Sequence, residues 1–346
     1  MCQLTAYIGD RPIAPTILKA LELQEPYFAA HATGMGTLMN GKIAIEKAAG
    51  YVSHVKKKTK IEKLTGTTGI GHSRYSAVAR EDPRCCIDRM AHPFTSDDGK
   101  IALMHNGDIS NYSEHWRRLK PHHVFKSYNQ DVDWITDSEV AVHMVDDLVK
   151  QGKDYGEALK EIMPQLAGTV LLCLITESEP ETVYLANRHQ PCYVGIGDDE
   201  VMWCSSKLGF KPIEDELKKI YQPPKNSLLI LRRGKVDTQI LDKNYKVPEL
   251  KLNKDLLKEY IIKVLEVADL DFYRLSYALQ KGEWAKCYGI PQNEWLNLRK
   301  EKGVSMVNPF IETLDEMIES GKIVQRIDRR MEGCLNDTPR FAYSLK

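Results

Sequence analysis

The pattern of apolar residues changes once along this chain, near positions 245–252, and that change constrains the fold more than any other feature. Before it, short β-branched and apolar runs recur, each bounded by turn residues. They are GTTGIGHSRYS at 66–76, KIALMHNG at 100–107, GTVLLCLIT at 168–176, TVYLAN at 182–187, VMWCSS at 201–206 and SLLILRRGKV at 227–236. Runs of this kind read as strands. Helical spacing interrupts them at 12–24 and 137–151. In the second stretch Val140, Met144, Val145 and Leu148 share one face, and Thr136 or Asp137 can cap the start. Beyond Pro248 the spacing is helical. Leu256, Leu257, Tyr260, Ile261, Val264 and Leu265 form one stripe. Phe310, Leu314, Met317 and Ile318 form another, with Gly321 as its C-cap candidate. Two strand-like runs follow, at 322–327 and 340–345.

The reading is an α+β chain in two units: residues 2–244, strand-rich, and residues 250–346, helical with a small ribbon that resembles a winged helix-turn-helix. The length of 346 residues agrees with two domains. Lys+Arg and Asp+Glu are each 48, so the net charge is zero, which argues against a general polyanion binder. The candidate recognition helix at 309–320 carries Glu312, Asp315, Glu316 and Glu319 and no Lys or Arg, so nucleic acid is not expected as a partner. The basic VKKKTKIEK run at 55–63 reads as a solvated face. No apolar run approaches the ~20 residues of a membrane span. The start, MCQLTAYIGD, lacks the basic and apolar regions of a signal peptide. The eight cysteines are scattered without a CxxC pair, so free thiols and a cytoplasmic location are expected, with no metal.

Seven cysteines read as packing residues, and Cys2 stands apart. Removal of Met1 gives it a free α-amine beside its thiol. The thiol can attack, and an amine of reference pKa ~8 can carry its proton, directly or through a water. Four further segments bear on this. Gly71-His72-Ser73-Arg74-Tyr75-Ser76 ends one strand-like run. Ala91-His92-Pro93-Phe94 lies in a loop. Leu103-Met104-His105-Asn106-Gly107 ends another strand and runs on as Asp108-Ile109-Ser110-Asn111-Tyr112. Thr136-Asp137-Ser138-Glu139-Val140 opens a helix. Each alone is a turn, a surface charge or a cap.

In this order after Cys2, they resemble the class II glutamine amidotransferases, which are N-terminal-nucleophile hydrolases. The likeness covers about residues 2–242 and is greatest to the glutaminase domain of glucosamine-6-phosphate synthase (glutamine–fructose-6-phosphate aminotransferase). That family reads Gly-His-Thr-Arg-Trp-Ala-Thr, Ala-His-Pro, His-Asn-Gly-Ile-Ile-Glu-Asn and Thr-Asp-Thr-Glu. The resemblance implies a four-layer αββα sandwich and hydrolysis of L-glutamine to glutamate and ammonia through a Cys2 thioester, without a cofactor. It implies that Arg74 grips the α-carboxylate and Asp137 the α-ammonium. It assigns Asn106 and the Gly107 N–H to the oxyanion hole, and Tyr75, Ser76 and His92 to the glutamine pocket.

The chain departs from the family in places. Gln3 replaces the Gly after the nucleophile, and Tyr75 the family's Trp. Ala77 and Val78 replace a Thr and a His. QEPYFAAHATGMG stands where Arg-Gly-x-Asp-Ser-x-Gly is usual, with Gly34 or Gly36 as the surviving glycine. The two sugar isomerase domains have no counterpart in the last ~100 residues, and no P-loop is present. The ammonia acceptor is therefore expected on a partner synthase subunit, in a homo- or hetero-oligomer. Two other readings are a glutamine sensor signalling through the winged-helix-like tail and an amidohydrolase acting on another amide. Intact Cys2 argues against the first. Arg74 and Asp137, suited to a free amino acid, argue against the second.

Overall fold

The computed structural model describes residues 2–77, 82–332 and 335–346, so Met1, Val78 and Cys334 lie outside the described residues. The strand-rich part holds β1 (Gln3–Ile8), β2 (Ala32–Met39), β3 (Lys42–Ala49), β4 (Thr68–Arg74), β5 (Phe94–Thr95), β6 (Ile101–Ile109) and β7 (Gly168–Thr176). It continues with β8 (Val183–Asn187), β9 (Tyr193–Ile196), β10 (Val201–Cys204), β11 (Lys219–Tyr221), β12 (Ser227–Arg232) and β13 (Lys235–Ile240). They form two antiparallel sheets, of order β11-β9-β10-β1-β4-β2-β3 and β13-β12-β8-β7-β6-β5.

Alternation of side chains along each strand explains the layering. Leu4, Ala6 and Ile8 of β1 meet Ala102 and Met104 of β6 and Leu171, Cys173 and Ile175 of β7 in one core between the sheets. Tyr7, on the opposite face of β1, packs with Ile13, Ile17 and Leu21 of α1 (Ile13–Gln24) and Val52 and Val55 of α2 (Val52–Lys58). The outer face of the second sheet is covered after α3 (Tyr112–Leu119) by α4 (Ser138–Lys150) and α5 (Tyr155–Ile162), through Val140, Met144, Leu159 and Ile162. The order is helix, sheet, sheet, helix. Each large apolar side chain so buried contributes about 1.5–3 kcal/mol.

Beyond residue 250 come α6 (Lys254–Leu265), β14 (Leu270–Asp271), α7 (Phe272–Ala278), α8 (Glu283–Cys287), α9 (Gln292–Lys302) and α10 (Val307–Glu319). The ribbon β15 (Ile323–Glu332) and β16 (Leu335–Leu345) completes a sheet of order β14-β16-β15. The core of this region is shared with the first: Tyr27 packs edge-on against Phe272 at 5.1 Å and Phe341 at 4.9 Å. Gly321 adopts φ +68° just past α10, where the helix-ending residue was expected.

Two expectations are corrected. The ribbon strands run well beyond 322–327 and 340–345, because cross-strand bonding holds polar residues that carry no apolar alternation. Cys86 is disulfide-bonded, so not every thiol is free; Cys2, Cys85, Cys173, Cys192, Cys204 and Cys287 are. No helix among the described residues is long and apolar enough to cross a membrane.

Candidate active site

Strand parity brings the sequence motifs together. Cys2 precedes β1 on the same side as Leu4, facing the space between the sheets. Asn106 shares its side of β6 with Met104 and faces Cys2 from the opposite sheet. The Cys2 backbone nitrogen donates to Asn106 Oδ1 at 3.2 Å. The other end of that amide, Nδ2, is buried with no partner. A buried N–H without an acceptor is costly, and this one is free to donate to an oxygen brought within reach. The Tyr75 N–H donates to Cys2 Sγ at 3.4 Å, and Sγ lies 3.7 Å from the Tyr75 carbonyl. Burial pushes the thiol's pKa up, while the N-terminal charge, the Tyr75 backbone and Arg74 pull it back.

The cavity beside Cys2 has a volume of about 320 Å³. Arg74, Tyr75, Ser76, His92, Gly107 and Asp137 line it, and Asn106 does not. Arg74 ends β4 and is 5% exposed. It makes no side-chain hydrogen bond among the described residues, and burial lowers its pKa against the pull of Cys2 and Asp137. A buried guanidinium without a hydrogen-bonded acceptor can take a carboxylate through its planar fork. Asp137 is the N-cap of α4. Its carboxylate accepts from the N–H groups of Ser138 and Ile109, each at 2.8 Å. Arg74 and Asp137 therefore supply opposite charges to one cavity.

Gly107 follows Asn106 at φ +135°, and a Cβ there would sit 1.7 Å from the Thr169 carbonyl oxygen, so only glycine fits. His92 stacks on His72 with ring centres 3.9 Å apart. Burial drives the His72 pKa down to about 3 and that of His92 well below its usual range, so both are neutral rings. Gly34 packs directly against the His92 carbonyl, where a Cβ would lie 1.9 Å away.

Sequence reading missed other contributors. Asp108, Thr136, Trp134 and Thr169 also line the cavity. His31 receives the Ser76 N–H on Nδ1 at 3.0 Å and stacks on Tyr75 at 5.3 Å. Its Nε2 meets Glu332 Oε2 of β15 at 3.0 Å, and Glu332 pairs with Arg340 of β16. The ribbon thus supports the segment that carries Tyr75 and Ser76. The only sequence signal was a His in the divergent QEPYFAAHATGMG stretch.

Cys2 thus faces a strand-end Asn-Gly between two antiparallel sheets, with Arg74 and Asp137 lining the cavity beside it. The chain is similar to glutamine amidotransferases in sequence over part of its length and in fold. Residues 83–210 match the family described as a glutamine amidotransferase domain. The glutamine–fructose-6-phosphate aminotransferase [isomerizing] of Pyrococcus horikoshii is 33% identical over 211 residues, 61% of this chain and 33% of the relative. Its Brucella suis counterpart is 28% identical over 254 residues, 73% of this chain and 39% of the relative. The chain therefore spans about a third of the length of these curated relatives. Among solved structures, glutamine phosphoribosylpyrophosphate amidotransferase from B. subtilis, complexed with ADP and GMP, superposes with a TM-score of 0.58 at 18% identity. That match covers 75% of this chain and 52% of the other. A structure described as the allosteric regulatory enzyme of purine biosynthesis gives 0.60 at 16%, covering 84% and 64%. These two likenesses concern the fold.

Proposed function

We propose that the chain hydrolyses L-glutamine to glutamate and ammonia through a thioester on Cys2, after Met1 is removed. The observation that carries this reading is the unpartnered Asn106 Nδ2 of an amide whose Oδ1 accepts from the Cys2 backbone nitrogen. Arg74 and Asp137 hold the amino-acid end of glutamine. Sγ attacks the side-chain carbonyl carbon as the α-amine takes the thiol proton. The carbonyl oxygen becomes negative, and Asn106 Nδ2 and the Gly107 N–H hold it. The C–N bond breaks, the leaving nitrogen takes the proton, and ammonia departs. Water, giving a proton to the amine, then attacks the thioester and releases glutamate and the thiol. Tyr75, Ser76 and His92 shape the pocket, and the neutral His92 ring adds no charge to it.

The proposed units are residues 2–244, the glutaminase, and 250–346, a winged-helix-like domain. A helix before β14, a helix before the ribbon and the order β14-β16-β15 support the second. In α10, Glu312 accepts from Tyr193 Oη at 2.8 Å, while Glu316 pairs with Lys254 at 2.8 Å and Lys258 at 2.6 Å. The helix that would enter a DNA groove is thus turned toward the glutaminase and carries acids, which favours a docking role over nucleic-acid binding. Ammonia released at Cys2 then passes to an acceptor site on a partner subunit.

Intact mass combined with the glutamine-like alkylator 6-diazo-5-oxo-norleucine tests this. The expected result is a chain without Met1 carrying one adduct, on Cys2. Retained Met1, or an adduct elsewhere, overturns the reading. The Asp137→Asn variant keeps an acceptor for the Ser138 N–H that caps the helix but removes the charge and the acceptor for the Ile109 N–H. It is expected to raise KM for glutamine roughly 10- to 100-fold with a smaller change in kcat, since the contact exists in ground and transition states alike. Steady-state kinetics with an unchanged KM would remove Asp137 from substrate binding.

A further inference from the structure

A second cluster of reactive side chains lies further along α4 from its N-cap. His143 and Asp146 are three residues apart on that helix and so share a face. Asp97 comes from the turn after β5, and His123 from the loop after α3. One ligand atom from each of these four residues lies within 4.8 Å of every other. His123 Nδ1 meets Asp97 Oδ2 at 2.8 Å, and its Nε2 meets Asp147 Oδ1 at 3.0 Å. Asp146 pairs with Lys150 at 2.8 Å.

These contacts explain His123 and the aspartates as ordinary hydrogen-bonded pairs. They leave out His143. Its side chain is 0% exposed, its Nδ1 stands 3.9 Å from Asp97 Oδ1, and neither ring nitrogen has a hydrogen-bond partner. A fully buried imidazole with both nitrogens unsatisfied is rare unless a ligand completes it.

We infer that Asp97, His123, His143 and Asp146 form a structural binding site for a zinc-class divalent cation. Two imidazole nitrogens and two carboxylate oxygens are a donor set such ions accept. Bond lengths of about 2.0–2.2 Å need donors somewhat closer than they stand, so the four side chains draw in by roughly an ångström. One ring nitrogen of His123 leaves its aspartate for the metal, and the other keeps its carboxylate, the usual support for a metal-bound imidazole. Asp97, with its side chain 30% exposed, gives the ion its way in. The ion fastens the turn after β5 and the loop after α3 to α4. Asp137, the N-cap of that helix, lies six residues before His143, about 9 Å along the axis.

The test uses the full chain in a Cys2→Ala background, which removes the cavity thiol, stripped by chelator and titrated with Zn²⁺ alone. One equivalent is expected to bind, raising the melting midpoint by roughly 5 °C at saturation. His143→Ala is expected to lose that equivalent, and Asp97→Asn to weaken it roughly 10-fold or more. No saturable equivalent overturns the inference. So does wild-type-like binding in a folded His143→Ala protein. If that variant does not fold, Asp97→Asn with its exposed side chain decides: unchanged affinity overturns the site and weakened affinity supports it.

Discussion

Replacing Cys2 with alanine is expected to lower glutamine turnover by roughly 10⁴- to 10⁶-fold while glutamine still binds. The size of the loss follows from what the thiol does. Without it no covalent intermediate forms, and the two easier steps revert to one direct attack of water on an amide. Binding should survive because Arg74 and Asp137 reach the cavity from β4 and from the cap of α4, neither of which depends on the Cys2 side chain. Truncation at Cys2 removes a single sulfur with two weak contacts to the Tyr75 backbone, so the fold should hold. Calorimetry with glutamine and a coupled glutamate assay read the two quantities separately. Turnover retained by the variant would eliminate the thioester route. Loss of binding together with turnover would mean that Cys2 acts on the pocket rather than on the chemistry.

The second large effect is expected at Asn106. Asn106→Ala should lower kcat by roughly 10²–10³-fold, with a smaller change in KM. The structure gives this substitution two consequences. Removal of Nδ2 takes away a donor with no partner among the described residues, and in the proposed mechanism its worth is greatest when an oxyanion forms. Removal of Oδ1 frees the Cys2 nitrogen, which it holds at 3.2 Å, and so loosens the amine that manages the proton. Asn106→Asp separates the two. It keeps an acceptor for the amine but replaces the donor with a negative oxygen facing a developing negative charge. It should therefore be at least as slow as Asn106→Ala. A near-native kcat in either variant would take Asn106 out of the oxyanion hole.

The strand runs at 100–107, 168–176 and 182–187 were legible because each alternates or saturates with apolar residues over a strand's length. The corresponding strands appear as β6, β7 and β8. The hairpin of β2 and β3 was not legible. ATGMGTLM has two glycines where a packed strand usually places β-branched residues, and one is present because the His92 backbone passes within reach of its Cβ position. The short helices α7 and α8 were missed for a related reason: at seven and five residues they show too few turns for a period to emerge.

For the site, sequence determined the kinds of groups and their order: a cysteine at position 2, an Arg and an Asn-Gly at strand ends, and an Asp at a helix start. Period-two alternation also fixed that Cys2 and Asn106 would each share a face with an apolar neighbour two residues away. Tertiary structure decided which faces meet. Only the stacking of two sheets sets Asn106 against Cys2, and only the docking of β15 puts Glu332 on His31 beneath Tyr75 and Ser76. The same holds for Asp97, His123 and His143, which are separated by twenty residues or more and carry no common spacing. Local pattern records the direction of a side chain along its own element. A contact between elements depends on how distant apolar faces bury one another, and no short stretch of sequence contains that.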